Sequence, residues 1–191
     1  MKTAIVTDGK YRSSIAAVRA LHRVGYQVIV TQTRADVHAV PAVAASRCCA
    51  AFRWIDGAAA DDGYADRLAA LLETYDRPVL FCVGAVTLNT VAAQRERFAR
   101  VADFLIAPRP VLDALNDKET VHARAQSLGI PVPRQYDGVP PERYPVVIKP
   151  HCGEKFGLKA ADRYAVADTP EAYAQILARM QRYDPAPIVQ D

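Results

Sequence analysis

The sequence predicts an α/β protein with a doubly wound, mostly parallel sheet (Rossmann-like) followed by a small α+β subdomain. Over the first hundred residues, short apolar runs alternate with amphipathic helical segments, which is typical of parallel strands joined by crossover helices. This alternation stops around Pro108 and Pro110. We therefore predict a first domain at residues 1–110 and a second, incomplete at its carboxyl end, at 111–191.

The composition favours a globular protein that acts on small molecules. The chain has 191 residues, of which 51% are hydrophobic and 24% charged, and its net charge is +3. Its basic residues are scattered among acidic ones, so we expect no nucleic-acid or membrane partner and favour small anionic ligands. No signal segment or long apolar run is present, and four cysteines without a CxxC pair predict a cytoplasmic location with free thiols.

Local patterns place the elements of the first domain. The runs TAIVT and QVIVT predict strands at 3–7 and 27–31, and Ser13 and Gly25 are the expected cap and end of the helix between them. The later elements are predicted as a strand at 50–55, a helix at 64–75, an apolar strand at 79–83, a helix at 86–100 and a short strand at 104–107.

The second domain begins with a helix for which Asn116 and Glu119 form a capping-box pattern. A strand at 146–148, a return strand at 158–166 and a helix starting at Thr169 and Pro170 follow. A further strand signal has just begun where the chain stops. It predicts a piece of a longer protein and an unpartnered apolar edge near Ile188 and Val189, which would favour association, for example as a homodimer.

Common catalytic and phosphate-binding motifs are missing from the sequence. The segment around Gly153 and Gly157 does not fit GxxxxGK followed by Ser or Thr, and the loop after the first strand has the single Gly9 instead of GxGxxG. No GxSxG, HExxH or paired CxxC motif occurs, and the histidines show no ligand spacing. Hydrolase and structural-zinc functions are therefore disfavoured.

Two lysines occupy positions that suit an anion. Lys118 falls in the first turn of a helix, where free backbone N–H groups and the helix dipole attract negative charge. Lys149 ends an apolar strand just before a segment that contains Gly153 and Gly157. Taken singly, either lysine is better explained by a solvated side chain.

Together these lysines stand in a recognisable order of motifs. The segment NDKETVHARAQSLGIPVPR at 116–134, followed by YPVVIKPHCGEKFGLKA at 144–160, resembles the ATP-grasp superfamily, where a DK helix, a GIPVP turn, a PVVIKP strand and a flexible glycine loop come in this order. The first 110 residues resemble the pre-ATP-grasp domain of these enzymes. Among the branches, the sequence is most similar to carbamoyl-phosphate-synthase-like and carboxylate–amine ligase-like proteins.

The resemblance implies a set of nucleotide contacts. Lys118 matches the lysine or arginine that contacts nucleotide phosphate, and Lys149 matches the lysine that reaches the α- and β-phosphates. The segment between Gly153 and Gly157 matches the loop that closes over the triphosphate, although it is poorer in glycine than is usual. The other implied contacts are Glu154 and Lys155 in this loop and Gln190 and Asp191 at the adenine hinge, where Asp191 replaces the usual glutamate.

The function implied is that of the amino-terminal portion of an ATP-dependent ligase. The full enzyme would use MgATP to phosphorylate a small carboxylate, and an amine would then attack the acyl phosphate. The Mg²⁺ ligands are expected beyond residue 191, and no catalytic residue is assigned within the chain. The 191-residue chain alone is expected to be inactive, because one wall of a two-walled cleft cannot bury ATP.

Two other functions stay open. The chain could be a non-catalytic nucleotide-binding or sensing module, because fold does not fix function; a reading frame that stops at Asp191 would favour this alternative. The α/β half could instead bind a sugar nucleotide or dinucleotide, against which the failed glycine motif counts. In the loop after the first strand, Asp8, Lys10 and Ser13 could contact a carboxylate substrate, or the loop could be a surface turn with a helix cap.

Overall fold

The computed structural model describes residues 2–136, 138–151, 158 and 163–191. The chain divides into two compact units, unit 1 (Met1–Arg109) and unit 2 (Pro110–Asp191). Unit 1 contains a four-stranded parallel sheet, and unit 2 contains a three-stranded antiparallel sheet. The predicted fold class, parallel α/β followed by a small α+β unit, is confirmed.

Unit 1 is a parallel sheet with strand order β3-β2-β1-β4. Strand β1 lies in the centre, so the chain adds β2 and β3 on one side of it and then crosses to place β4 on the other. The elements are β1 (Thr3–Val6), α1 (Arg12–Arg23), β2 (Gln27–Thr33), β3 (Ala51–Ile55), α2 (Tyr64–Glu73), β4 (Val79–Phe81), α3 (Ala85–Ala93) and α4 (Arg95–Val101).

Both faces of the central strands β1 and β2 are buried, as expected for a parallel sheet with nearly continuous apolar strands. On one face, Val6, Val28 and Val30 pack with Val18 of helix α1. Helix α1 ends before Gly25, whose φ of 91° is easily reached by glycine and costly for other residues. Because β1 and β2 are parallel, their carboxyl ends lie at the same edge of the sheet, beside the start of α1.

Three local predictions for unit 1 are wrong. Helix α1 begins at Arg12 with Tyr11 as its N-cap, so Ser13 is not the cap. The helix predicted at 86–100 is two helices, because the chain leaves helical geometry at Gln94. The short strand predicted at 104–107 is not formed; instead Asp103 makes a single parallel bridge with Val79.

Unit 2 pairs its sheet in the order β6-β5-β7. The apolar residues Val146, Ile148 and Val189 alternate toward one face of this sheet and pack with Met180 of its long helix. Apart from Arg109, the first residue of α5, which belongs to unit 1, the elements of unit 2 are α5 (Arg109–Asn116), α6 (Lys118–Ser127), β5 (Val146–Lys149), β6 (Ala165–Ala167), α7 (Pro170–Met180) and β7 (Ile188–Gln190).

In unit 2, the structure corrects the starts of two helices and the length of one strand. Helix α5 was not predicted, because Pro110 was interpreted as a breaker, whereas it lies in a first turn that needs no backbone N–H donor. The cap of α6 is Asp117 and not Asn116, since its side chain accepts a hydrogen bond of 2.7 Å from the Thr120 N–H. The predicted return strand is shorter, and β6 covers only Ala165–Ala167.

The prediction of an unpartnered edge near Ile188 and Val189 is wrong. Strand β7 pairs with β5, and the Tyr136 N–H donates to the Val189 carbonyl at 3.0 Å. Both apolar side chains are buried, which removes the sequence-based argument for association through this edge. No helix in the described ranges is long and apolar enough to cross a membrane.

Candidate functional site

Lys149 is the last residue of strand β5 and lies on the face of the unit 2 sheet opposite helix α7. Val146 and Ile148 point toward α7, so Val147 and Lys149 point the other way because side chains alternate along a strand. Lys149 pairs with Ile188, and Val147 pairs with Gln190. Lys149 and Gln190 therefore share a face, about 7 Å apart along the strand direction.

Lys118 reaches the chain immediately after Lys149. Its Nζ donates hydrogen bonds to the carbonyl oxygens of Pro150 at 2.8 Å and His151 at 3.0 Å. The cap made by Asp117 sets the start of helix α6, and Lys118 is its first residue. A helix start and a strand end, thirty-one positions apart in sequence, thus bring two cations together.

The two ammonium groups interact unfavourably. Burial is the larger cause and the positive charge of Lys118 the second, and together they lower the pKa of Lys149. An anion placed beside both lysines would relieve this repulsion, because it favours the charged form of each. The pair is thus suited to a polyanionic ligand such as a triphosphate.

The two carboxyl-terminal residues predicted at the hinge have different environments. Gln190 is buried and also bridges Gln135. The carboxylate of Asp191 accepts a hydrogen bond of 2.6 Å from the Tyr136 hydroxyl, and this bond is the main cause that raises the pKa of Tyr136. The Asp191 N–H donates to the Arg134 carbonyl at 3.1 Å. The chain at the end of β7 is therefore held by hydrogen bonds to Arg134 and Tyr136.

The predicted loop contacts Gly153, Glu154, Lys155 and Gly157 lie outside the described residues. The described part of the predicted site consists of Lys118, Lys149, Gln190 and Asp191. Of these, the structure brings Lys118 and Lys149 together.

A hydrogen-bonded cluster that the sequence did not indicate surrounds His151. Its ring Nδ1 and its backbone N–H both lie 2.9 Å from Oδ2 of Asp184, and its ring Nε2 lies 3.2 Å from Glu119. The same residue supplies a carbonyl to Lys118. The cluster therefore fixes the backbone that follows Lys149 to the start of α6 on one side and to the turn before β7 on the other.

These contacts stabilise the ionised form of Asp184. Burial raises its pKa, but hydrogen bonds from the backbone and ring of His151 and from the Ala186 N–H outweigh burial and leave the pKa lowered. A carboxylate whose pKa is lower in the folded chain stabilises the fold above its unfolded pKa, near 4, and loses that contribution as the pH falls.

Replacing Asp184 with alanine is expected to lower the free energy of unfolding at pH 6 by about 1–3 kcal/mol, because the part-buried His151 N–H loses its acceptor. The gap between the variant and the wild type should narrow as the pH falls from 6 to 3. Urea unfolding, monitored by far-UV circular dichroism, measures this difference in the free energy of unfolding. Asp168→Ala, at an exposed position in the same unit, serves as the control. A gap that is constant over this pH range would contradict the role of the Asp184 carboxylate.

A cleft of about 420 Å³ lies beside this cluster within unit 2. Glu119 and His151 line one part of it, and Tyr136 and Tyr173 line another. Lys118 and Lys149 do not line it. The cleft is therefore not the place where the lysine pair would hold an anion.

In unit 1, Asp8 joins two loops at the carboxyl edge of the parallel sheet. Its carboxylate accepts hydrogen bonds from the Thr7 hydroxyl, from the Gly84 N–H at 2.9 Å and from the Thr87 hydroxyl at 3.0 Å. Asp8 is 6% exposed, so its side chain is part of the scaffold. Of the three residues considered for a carboxylate substrate, Lys10 alone lines a cleft in unit 1, whereas Ser13 is exposed outside it.

Metal ligands are not grouped in the described part of the chain. No set of three or more His, Cys, Asp or Glu side chains in it is placed to hold a metal ion.

Comparison with solved structures finds several with the same fold. An L-amino acid ligase from Bacillus licheniformis superposes with a TM-score of 0.63 at 12% identity, over 100% of this chain and 44% of that one. The biotin carboxylase domain of the Hydrogenobacter thermophilus 2-oxoglutarate carboxylase, determined as a dimer with MgADP, ADP and bicarbonate, gives 0.61 at 14% identity, again over 100% and 44%. Rhizobium etli pyruvate carboxylase gives 0.59 at 12% identity, over 100% and 18%.

At these identities the likeness establishes the fold alone. No protein-family model and no curated protein matches the sequence. The chain spans less than half the length of the ligase and carboxylases it superposes on.

Proposed function

We propose that this chain is the amino-terminal portion of an ATP-grasp ligase that activates a small carboxylate with ATP and transfers it to an amine. The observation that carries the proposal is the hydrogen bond from Lys118 Nζ to the carbonyl that directly follows Lys149. It brings the Lys118 ammonium close to the end of strand β5, where its charge acts on Lys149, in a fold shared with an amino acid ligase and with carboxylase domains.

Each lysine has a distinct proposed role. Lys149, partly buried at the strand end, would supply fixed positive charge to the α- and β-phosphates of ATP. Lys118 would contact phosphate and also hold the backbone after Lys149 in place through the Pro150 and His151 carbonyls. Stabilisation of transferring phosphate by fixed charge, without proton transfer by either lysine, is the usual mode of phosphoryl-transfer enzymes.

The hinge residues would serve the other end of the nucleotide. Gln190 lies on the same sheet face as Lys149, and the backbone of Asp191 would offer hydrogen bonds to adenine, as the resemblance implies. The Asp191 carboxylate and the Asp191 N–H are already bonded, to the Tyr136 hydroxyl and the Arg134 carbonyl, so we assign the adenine contact to the backbone carbonyl of Asp191. Mg²⁺ would neutralise phosphate charge in such a reaction, and we assign it no ligand among the described residues.

The test measures ATP-dependent activation of a carboxylate by the protein that the complete reading frame encodes. The protein is incubated with MgATP, a panel of amino acids and short acids, and hydroxylamine, which traps acyl phosphates as hydroxamates. We expect hydroxamate and phosphate to form in equal amounts with at least one acid. The chain ending at Asp191 should release at least 100-fold less phosphate under the same conditions, because it supplies one wall of the cleft.

Two outcomes would overturn the proposal. One is ATP binding by the complete protein without phosphate release for any acid, which would favour a nucleotide-sensing module. The other is phosphate release by the chain ending at Asp191 at the rate of the complete protein.

A further inference from the structure

Unit 1 contains a second candidate site, separate from the lysine pair. A cleft of about 490 Å³ lies where the chain leaves β1 and β2, beside the start of helix α1. This volume is in the range of small-molecule sites, roughly 300–1,000 Å³. Doubly wound folds usually bind ligands at this edge of their parallel sheet.

The walls of the cleft are mainly apolar and partly open to solvent. Tyr11 and Val40, which line it, are 44% and 58% exposed. Ile15 and Pro41 extend the apolar surface between them. Concave apolar surface that stays exposed is typical of ligand-binding grooves, and it suits the hydrocarbon part of a ligand.

The cleft is positively charged where it meets the start of helix α1. Lys10 and Arg12 line it there, and none of the described acidic residues lines the cleft. The Lys10 ammonium lies 5.5 Å from the centre of the Tyr11 ring. In the described part of the chain neither side chain forms an ion pair, and the first turn of α1 contains no acidic residue. Cations at the positive end of a helix dipole are unfavourable without a counter-ion. This end of the cleft therefore favours an anionic group on the ligand.

The backbone of the loop argues against phosphate as that group. Phosphate-binding loops direct successive backbone N–H groups at the ligand. Here the Gly9 N–H donates to the Thr31 carbonyl, the Lys10 N–H to the Gln32 side chain, and the Tyr11 N–H to the Asp8 carbonyl. Recognition therefore depends on the lysine and arginine side chains, and a guanidinium pairs well with a planar carboxylate.

We propose that this cleft binds an organic carboxylate with an apolar body, its charged end at Lys10 and Arg12 and its hydrocarbon part along Tyr11 and Val40. This inference rests on the proposed function, for which it names the class of acid that is activated. It also disfavours dinucleotide binding in unit 1, because a dinucleotide would need the backbone N–H groups of this loop, which are already hydrogen-bonded within the protein.

The experiment is a calorimetric titration of the full-length protein, without ATP, with hexanoate as the probe. Hexanamide removes the charge, acetate removes the apolar body, and hexyl phosphate replaces the carboxylate. We expect hexanoate to bind at least fivefold more tightly than each of the other three. Arg12→Gln should weaken hexanoate binding about fivefold or more and leave hexanamide unchanged, and Val40→Asp should weaken both.

Arg23→Gln, in the last turn of α1 outside the cleft, is the matched control and should bind hexanoate like the wild type. Fluorescence of Trp54, the single tryptophan, shows whether unit 1 of each variant is folded. Equal affinity for hexanoate and hexanamide, unchanged hexanoate binding in Arg12→Gln, or preference for hexyl phosphate would overturn the inference.

The two proposals fail separately. A protein that forms hydroxamates from ATP but does not bind hexanoate would overturn the carboxylate cleft alone. A protein that binds hexanoate through Arg12 but releases no phosphate from ATP with any acid would overturn the ligase function and leave the cleft supported.

Discussion

Replacing Lys149 with methionine is expected to lower ATP-dependent turnover of the full-length protein by about 10²- to 10³-fold. Methionine keeps much of the apolar stem of lysine and removes the charge proposed to face the α- and β-phosphates. The fold should not suffer, because burial and the charge of Lys118 already lower the pKa of Lys149. The variant is therefore expected to unfold at the same urea concentration as the wild type, or a higher one.

Phosphate release and calorimetric titration with an ATP analogue measure the effect. Lys2→Met, at an exposed lysine before β1, is the control and should match the wild type. Lys118→Met should raise the pKa of Lys149, which NMR of the lysine side chain reports, because the repulsive neighbour is lost. Full turnover by Lys149→Met, or no change in the pKa of Lys149 in Lys118→Met, would contradict the shared-anion site.

The sequence predicted those elements whose cause is local. Thr169 caps helix α7 by accepting from the Ala172 N–H, and Pro170 fills a first-turn position where a missing N–H costs nothing. Gly25 and Gly129 both have positive φ just after a helix, as expected. In such cases the stabilising contact lies within four residues, so the amino acid types alone specify it.

Local ambiguity explains the boundaries that were wrong. Asn116 and Asp117 are both good caps in adjacent positions, and the structure uses Asp117, which makes Lys118 the first residue of helix α6. Pro110 is equally compatible with a break or with a first turn. A choice between such alternatives depends on packing, which the pattern of residue types does not reveal.

In the candidate site, the sequence indicated the lysine pair but did not indicate the cluster around His151. Lys118 and Lys149 were singled out through an order of motifs that resembles a known superfamily, and their proximity follows from the fold. Asp184 contacts His151 across thirty-three positions, and it stands in an ordinary turn sequence before proline. No spacing rule connects the two residues, so the contact emerges only when β5 and the turn before β7 are placed in space.

Asp8→Ala is expected to destabilise unit 1 by about 3–5 kcal/mol, the largest effect on stability that we predict. The substitution leaves the buried Thr7 hydroxyl and the Gly84 N–H without their acceptor, and each unsatisfied buried donor costs about 1–3 kcal/mol. The Thr87 hydroxyl loses one partner and keeps the other, the Tyr64 hydroxyl at 2.9 Å. Alanine also tolerates the left-handed φ of 59° at this position less well than aspartate does. The loop before α3 would lose the hydrogen bonds that join it to Asp8.

Urea unfolding followed by the fluorescence of Trp54 on strand β3 measures this effect, because the single tryptophan lies in unit 1. Asp8→Asn should lose less, since one oxygen still accepts a hydrogen bond. Asp62→Ala, at an exposed position in the same unit, should change the free energy of unfolding by no more than about 0.5 kcal/mol. If Asp8→Ala unfolds within about 1 kcal/mol of the wild type, the donors around Asp8 find other acceptors, and the carboxylate is not what joins the loops after β1 and β4.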